Sequence, residues 1–526
     1  MNVLIAEPMA QAGIDLFRVQ SGWNVIVSNP KEYAQHLGEA DALVVRSAVQ
    51  VTADVLKQAP KLRVIGRAGV GVDNVDLPAA TAAGVLVMNT PGGNAVSVAE
   101  HTIALMLSMA RSIPQANTST KAGKWEKKKF LGSELRGKTL GVIGLGSIGR
   151  EVVRRARAFE MRILAHDPYV TPHIAKDLGT ELVALPELCR RSDYITIHVS
   201  LTPETDLLLN AEAFAEMKRG VRIVNCARGE LLDEEALRAG IESGNVAGAA
   251  LDVFAKEPTN AATPLFAFDC LLATPHIGGA TEEAQEIVGM RIAEQMVEYL
   301  QNGVAINAVN MPSLSPDQHK TLIPFVDLAE RLGTFAAHLF SGNPATVRLT
   351  WYGRIAEMNT GLLSSACLAG LLHRSAIRAN VVNAMQIAAR RGWSVVEVHD
   401  KRSTHLDTIR IEVETDAGVT AVEGAVVLDA PRLMEVDGIY CEAPLTGPMI
   451  CVKNSDVPGV VGHIGTVLGA HGINIANFSL GRRDVNGERD AIAVVSTDAL
   501  VGQEVLDELT ANAAIRLARA LAIAAE

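Results

Sequence analysis

Thr139-Leu-Gly-Val-Ile-Gly144-Leu-Gly146-Ser147-Ile148-Gly149-Arg150 is the stretch on which the fold turns. Thr139 to Ile143 are short, apolar and partly β-branched, the pattern of a buried parallel strand. Three glycines follow at G-x-G-x-x-G spacing, and Glu151 to Met161 then has helical periodicity. In such a strand–turn–helix, Gly144 makes the tight turn, Gly146 lets backbone approach a pyrophosphate, and Gly149 allows close helix–strand packing. Ser147 and Ile148 open the helix, whose free N–H groups and positive dipole end face the phosphates. A second strand, Arg162 to Ala165, ends in His166-Asp167-Pro168. An acid at this distance grips the ribose hydroxyls of NAD and repels a 2′-phosphate. The expectation is an NAD site.

Outward from there, 526 residues are too many for one core, and three to four domains are expected. With 48% hydrophobic and 20% charged residues the composition is that of a globular chain. No apolar run reaches membrane-spanning length, and the N-terminus lacks a basic-then-apolar signal pattern. The six cysteines form no C-x-x-C pair, so they read as buried reduced thiols of a cytoplasmic protein, with no metal site. A net charge of −11 argues against a nucleic-acid surface. An anionic substrate therefore needs locally placed arginines and lysines.

Residues 1–98 alternate apolar strands (Val3–Ala6, Val25–Val27, Ala42–Val45, Val64–Ile65, Val85–Met88) with helical segments, a second α/β unit without a dinucleotide fingerprint. Its strand ends carry Arg46-Ser47, Gly66-Arg67-Ala-Gly69-Val70-Gly71-Val-Asp-Asn74 and Pro91-Gly-Gly93-Asn94. Ligands sit at such strand ends. A lone arginine is usually a solvated charge; two on equivalent strand ends point to an anion site. Ser97 is placed to cap a helix over Val98–Ser112, with Glu100 at capping-box spacing. His101 within it reads as a satisfied core or interface histidine. The run Lys121 to Phe130 is either a solvated surface or, anchored by Trp125 and Phe130, a loop closing over an anion, in a neighbouring subunit if the protein is oligomeric.

Past Asp167 the rhythm continues with strands at Tyr194–Val199, Arg222–Asn225, Gly248–Phe254 and Leu271–Thr274. Arg228, Glu257 and His276 each follow a different strand of one sheet, on a common edge. Moving a hydride between a hydroxy acid and a nicotinamide needs a cation to hold the carboxylate and polarise the carbonyl. It needs a base suited to neutral pH, and a carboxylate to orient that base. Arg228, His276 and Glu257 fill these roles in that order. Asp252 is placed to accept a hydrogen bond from the carboxamide. A helix over Glu282–Asn302 returns the chain to the first unit.

A Pro- and Ser-rich loop, Met311 to Asp317, marks a boundary. Residues 318–445 mix helices (Leu322–Leu339, Ala376–Arg391) with strands (Trp393–Val398, Thr408–Glu414, Gly424–Leu428) and show no catalytic signature. From Pro448 the order is strand, helix, strand, an Asn486-Gly487 hairpin turn, strand, helix, strand, a ferredoxin-like β-α-β-β-α-β unit.

Gly144–Gly149 with Asp167, Asn225-Cys226-Ala227-Arg228-Gly229, Lys256-Glu257-Pro258 and Pro275-His276-Ile277-Gly278 resemble the D-isomer-specific 2-hydroxyacid dehydrogenase family. Val45-Arg46-Ser47, Gly66–Asn74, Gly93-Asn94 and Trp125–Gly132 are similar to its branch acting on 3-phosphoglycerate. Asn454-Ser-Asp456-Val-Pro458-Gly459 with Gly472-Ile-Asn474 resembles an ACT regulatory domain. The resemblance implies a Rossmann-type NAD-binding domain (99–283) and a discontinuous, flavodoxin-like substrate domain (1–98 and 284–310). An α+β intervening domain (311–445) resembling an allosteric or substrate-binding module and an ACT domain (446–526) follow. It implies oxidation of 3-phosphoglycerate by NAD in an oligomer, dimer or tetramer, with Arg228, Glu257 and His276 catalytic. Val70, Gly144, Gly146, Ser147, Ile148, Gly149, Asp167, Cys226, Ala227, Asp252, Gly278 and Gly279, with Arg228 and His276, would meet the cofactor. Arg46, Ser47, Arg67, Gly93 and Asn94 would meet the substrate. Asn454, Asp456 and Asn474 converge at one edge of the ACT domain and would hold L-serine as effector, unless that domain only dimerises. The rival readings are a glyoxylate or hydroxypyruvate reductase of the same family and an NAD-sensing corepressor.

Overall fold

The structure, a computed structural model, describes residues 1–312, 316–375, 379–401, 406–485 and 488–523. Strands β1 (Asn2–Ile5), β2 (Asn24–Val27), β3 (Ala42–Val45), β4 (Val64–Arg67) and β5 (Leu86–Met88) form a parallel sheet in the order β2-β1-β3-β4-β5. This is the flavodoxin-like order. β3 is buried along its whole length, as a strand covered on both faces must be. One cover is the helix Glu282–Asn302, whose Val288, Ile292, Ala293 and Met296 pack with Val3, Ile5, Val64 and Met88. Glycine permits the approach: a Cβ on Gly13 would lie 2.6 Å from the Gly289 carbonyl oxygen. Beyond that helix, Ala308 bridges Met88 antiparallel, and Val309 N donates to Val87 O at 2.8 Å.

Seven further parallel strands follow: β6 (Thr139–Ile143), β7 (Arg162–His166), β8 (Glu181–Leu182), β9 (Tyr194–Ile197), β10 (Val221–Asn225), β11 (Val246–Leu251) and β12 (Leu271–Ala273). Their order is β8-β7-β6-β9-β10-β11-β12. The order reverses between β6 and β9, where open α/β sheets leave a crevice for a ligand. The helix expected from Val98 begins instead at Ala95, with Ser97 inside its first turn. Ser97 Oγ pairs with Thr281 Oγ1 at 2.7 Å, and Glu100 accepts from Arg155 at 2.9 Å. These partners displace the anticipated capping box. Ala99, Ile103, Met106 and Ala110 bury this helix against Val142 and Val152.

The third unit is a mixed sheet of β13 (Pro344–Tyr352), β14 (Ser394–Asp400), β15 (Thr408–Thr415), β16 (Gly418–Val427), β17 (Ala430–Val436) and β18 (Ile439–Pro444), in the order β14-β13-β15-β16-β17-β18. Helices Pro316–Ala337 and Gly361–Leu371 cover it. The sequence pattern does not locate Gly361–Leu371, because every residue from Leu362 to Leu371 is buried and no polar face sets a period. It also passes over β13, β17 and β18. The helix expected over Ala376–Arg391 contracts to Ala384–Arg390, and residues 376–378 lie outside the described residues. Asn380 and Asn383 form a turn there: Asn383 Oδ1 accepts from Asn380 N at 2.8 Å. Asparagine side chains compete with helix in this way.

The last unit has β19 (Gly447–Ser455), β20 (Ile475–Val485), β21 (Glu488–Thr497) and β22 (Ile515–Ile523) in the antiparallel order β20-β21-β19-β22. With helices Val460–Ala470 and Gln503–Thr510 this is the expected β-α-β-β-α-β arrangement. The anticipated Asn486-Gly487 turn lies outside the described residues.

Candidate active site

The glycine turn after β6 is built as its spacing requires. Gly144 has φ +94°, and a Cβ there would lie 2.6 Å from the His198 carbonyl oxygen. A Cβ on Gly149 would lie 2.0 Å from the Gly144 carbonyl oxygen, whereas one on Gly146 would meet nothing within 4 Å. The bare Gly146 face and a first helical turn without acidic residues, beginning at Ser147, fit a pyrophosphate. Asp167 follows β7, its Oδ2 accepting from Leu145 N at 2.8 Å and its Oδ1 from Tyr169 N at 2.9 Å. The first bond sets the carboxylate beside the glycine turn, as a ribose-binding acid must be. These residues therefore fit NAD.

Asp252, just past β11, is 1% exposed. Its Oδ1 accepts from Thr274 Oγ1 (2.6 Å) and Ile277 N (2.9 Å), and its Oδ2 accepts from Gly278 N (2.8 Å). Burial pushes its pKa up, but His101, Thr274 and the two backbone donors outweigh this and hold it below the ordinary carboxylate value. His101, 3.2 Å from Thr274 Oγ1 and 3.3 Å from Asp252, is the satisfied histidine expected of that helix. Together these bonds shape the loop 274–278. His276 within it has φ +54°, and its N–H donates to Asp252 O at 2.8 Å. A histidine held in the left-handed region carries strain that its surroundings must sustain. His276 Nδ1 lies 2.7 Å from Glu257 Oε2, while Glu257 Oε1 accepts from Phe254 N at 3.0 Å. A carboxylate can only accept, so Nδ1 carries the proton, and in the neutral imidazole Nε2 then holds the lone pair.

His276 and Glu257 line a cavity of about 810 Å³ between the first two units, together with Arg46, Ser47, Arg67 and Asn94. Arg46 N donates to Glu7 Oε1 (2.8 Å) and its Nη1 to Pro8 O (3.1 Å), which fixes its base at the crevice. Arg67 folds over Gly69, where a Cβ would fall 1.4 Å from Nη1. Its Nε is buried without a partner. Burial, then repulsion by Arg228, pull its pKa below the usual guanidinium value. Asn94 Oδ1 is likewise buried and unpartnered. Gly93 does not join the group: a Cβ there would strike Val288 at 2.7 Å, so this glycine lets the loop pack on the helix Glu282–Asn302.

Arg228 follows β10 and is not on that cavity wall. Its Nε and Nη2 donate to Asp73 Oδ2 at 3.0 and 2.8 Å, and its Nη1 donates to Ala227 O at 2.7 Å. The sequence pattern does not single out Asp73; its signal is an acid in the same Gly-rich loop as Arg67. Cys226 is buried, which pushes its thiol up to about 12 and keeps it neutral. Gly278 and Gly279 lie against Asp252 and Asn94, and Val70 offers its carbonyl to Asn89 Nδ2 at 2.5 Å.

In the last unit, Asn454 is 3% exposed; its Nδ2 donates to Ser455 O, and its Oδ1 is buried without a partner. Asp456 Oδ2 is forked by Arg482 Nε and Nη2 at 2.8 and 2.6 Å, so an arginine already occupies the carboxylate expected to face an ammonium group. Asn474 lies just before β20, its N–H donating to Asp498 Oδ1 at 3.1 Å.

The D-isomer specific 2-hydroxyacid dehydrogenase NAD-binding domain matches residues 103–278, the D-3-phosphoglycerate dehydrogenase intervening domain 321–437, and the ACT domain 450–514. The D-3-phosphoglycerate dehydrogenase of Methanocaldococcus jannaschii is 41% identical over 512 residues, 97% of either chain. That of Bacillus subtilis is 37% identical over 97% of either chain. Among solved structures, D-lactate dehydrogenase from Aquifex aeolicus complexed with NAD and lactic acid is 28% identical, with a TM-score of 0.52. It matches over 60% of this chain and all of its own.

Proposed function

The chain belongs to the D-3-phosphoglycerate dehydrogenase family, and from that membership we propose that it oxidises 3-phosphoglycerate to 3-phosphohydroxypyruvate with NAD, the first step of L-serine biosynthesis. The observation that carries this reading is a single crevice holding the His276–Glu257 pair together with Arg46 and Arg67. When bound, NAD supplies the acceptor for the hydride leaving C2 of the substrate. His276 Nε2 takes the hydroxyl proton, and Glu257 stabilises the imidazolium that forms. Arg228 grips the substrate carboxylate and polarises the developing carbonyl. Arg46 and Arg67, with the Ser47 hydroxyl, hold the phosphate in a chain whose net charge is −11. Asp167 takes the ribose hydroxyls, and Asp252 spends a remaining Oδ2 lone pair on the carboxamide.

The division 1–98 with 284–310, 99–283, 311–445 and 446–526 is adopted with this reading; the packing of the helix Glu282–Asn302 on the first sheet supports its discontinuous part. A cytoplasmic oligomer is part of the proposal. Trp125 and Leu131, 86% and 93% exposed beside the lysines at 127–129, are apolar groups that a second subunit would cover. L-Serine binding by the ACT domain at Asn454, Asp456 and Asn474 completes it, with Arg482 yielding Asp456 to the ligand's ammonium group.

The test is NADH formation from 3-phosphoglycerate in the presence of a carbonyl trap, alongside reduction of glyoxylate and hydroxypyruvate by NADH. A kcat/KM for glyoxylate above that for the phosphorylated pair would replace this reading with a reductase.

A further inference from the structure

Asp73 and Arg228 join the first two units, Asp73 from the Gly-rich loop after β4 and Arg228 from the loop after β10. A guanidinium has five N–H donors. Asp73 Oδ2 takes those on the Nε–Nη2 edge at 3.0 and 2.8 Å, and Ala227 O takes one from Nη1 at 2.7 Å. One N–H on Nη1 and one on Nη2 are left over, and a carboxylate meeting the end-on Nη1/Nη2 edge would use them in bidentate fashion. We infer that Asp73 is a positioning residue for Arg228: from the substrate unit it fixes the guanidinium plane so that this end-on edge is presented to the carboxylate of the substrate. The inference rests on the reaction proposed above.

Two observations besides the bonds support it. The crossing is kept clear by Gly71, where a Cβ would fall 1.9 Å from Arg228 Nη2 and 2.7 Å from Asp73 Oδ2. Any other residue there would push the pair apart. Asp73 also neutralises a repulsion: Arg228 disfavours the charged form of the neighbouring Arg67, and Asp73 favours it. With Asp73 63% exposed and Arg228 28% exposed, the ion pair itself does little for stability. Its effect lies in orientation, as that of Glu257 does for His276.

The test compares Asp73→Ala and Asp73→Asn in the whole enzyme, alone and combined with Arg228→Lys. Loss of the fork should lower kcat and kcat/KM for 3-phosphoglycerate about 10- to 100-fold in Asp73→Ala, with NADH affinity within about twofold of wild type. Asp73→Asn keeps an acceptor oxygen and should recover a large part of the loss. In the Arg228→Lys background, which has no fork to orient, Asp73→Ala should cost about twofold or less. An equal loss in both backgrounds would overturn the role, as would an Asp73→Ala enzyme with normal kcat. Oxalate binding to the enzyme–NADH complex, followed by NADH fluorescence, gives the same comparison without turnover. An enzyme inert toward 3-phosphoglycerate would thus refute the reaction assignment while oxalate still decided the part played by Asp73.

Discussion

Two alanine substitutions in the glycine turn separate folding from cofactor binding. At Gly149 the added Cβ would sit 2.0 Å from the Gly144 carbonyl oxygen, about 1.4 Å inside an ordinary carbon–oxygen contact. The Cβ is fixed to the backbone of the helix Ser147–Ala158 and the oxygen belongs to backbone just past β6, so no rotamer relieves the overlap. The helix must lift from the strand, at roughly 3 kcal/mol, the upper part of the usual overpacking range. For a unit of this size that lowers Tm by roughly 6–12 °C. At Gly146 the added Cβ meets nothing within 4 Å, and its φ of −67° suits any L-residue. Gly146→Ala should therefore fold with a stability within about 1 kcal/mol of wild type, a less disordered unfolded chain offsetting the poorer N-cap that alanine makes. Its methyl group would stand where the pyrophosphate meets the backbone. Losing that charge-assisted contact costs roughly 1.5–3 kcal/mol, or about 10- to 100-fold in NADH affinity. Thermal unfolding and NADH fluorescence titration of both variants read the two effects. A Gly146→Ala protein with a Tm as depressed as that of Gly149→Ala, or with unchanged NADH affinity, would refute the assignment of this turn to the pyrophosphate.

Other substitutions probe the rest of the site. Asp167→Ser removes the carboxylate proposed to take the ribose hydroxyls, so the ratio of NAD to NADP turnover should fall at least tenfold in steady-state assays; a wild-type preference for NADP would contradict the premise. His276→Ala should lose at least about 100-fold in kcat while NADH titrates normally, because only the proton acceptor is gone. Asp252→Asn should destabilise the protein by roughly 1–3 kcal/mol at pH 7, since buried donors lose their acceptors. The folded carboxyl pKa lies below the unfolded one, so this stabilisation is complete above about pH 4 and fades as pH falls through the lowered value. Denaturation of the two proteins should accordingly converge only in strong acid, and a gap widening toward low pH would be the wrong sign. Calorimetric titration with L-serine should give binding that Asn474→Ala abolishes with basal turnover intact; no heat with the intact protein would leave the ACT unit a dimerisation module.

How much of this was legible in the sequence depended on whether a signal was local. The glycine turn, the strand before it and Asp167 after β7 are defined over a few residues, because each glycine answers a backbone contact within that turn. The same holds for His276, Glu257 and Arg228, whose shared edge follows from successive parallel strands. In the third unit the wholly buried helix Gly361–Leu371 has no amphipathic period, and β17 and β18 are specified by their neighbours in the sheet rather than by their own patterns. Only tertiary contact decides between rival partners for one side chain. Ser97 and Glu100 spell a capping box, yet Thr281 and Arg155, distant in sequence, claim them. Gly93 sits in what reads as an anion loop, and only the fold shows that its bare Cα also makes room for Val288. Asp73 and Arg228, 155 residues apart, meet because two separately folded sheets face each other across a crevice, a placement that no local pattern encodes.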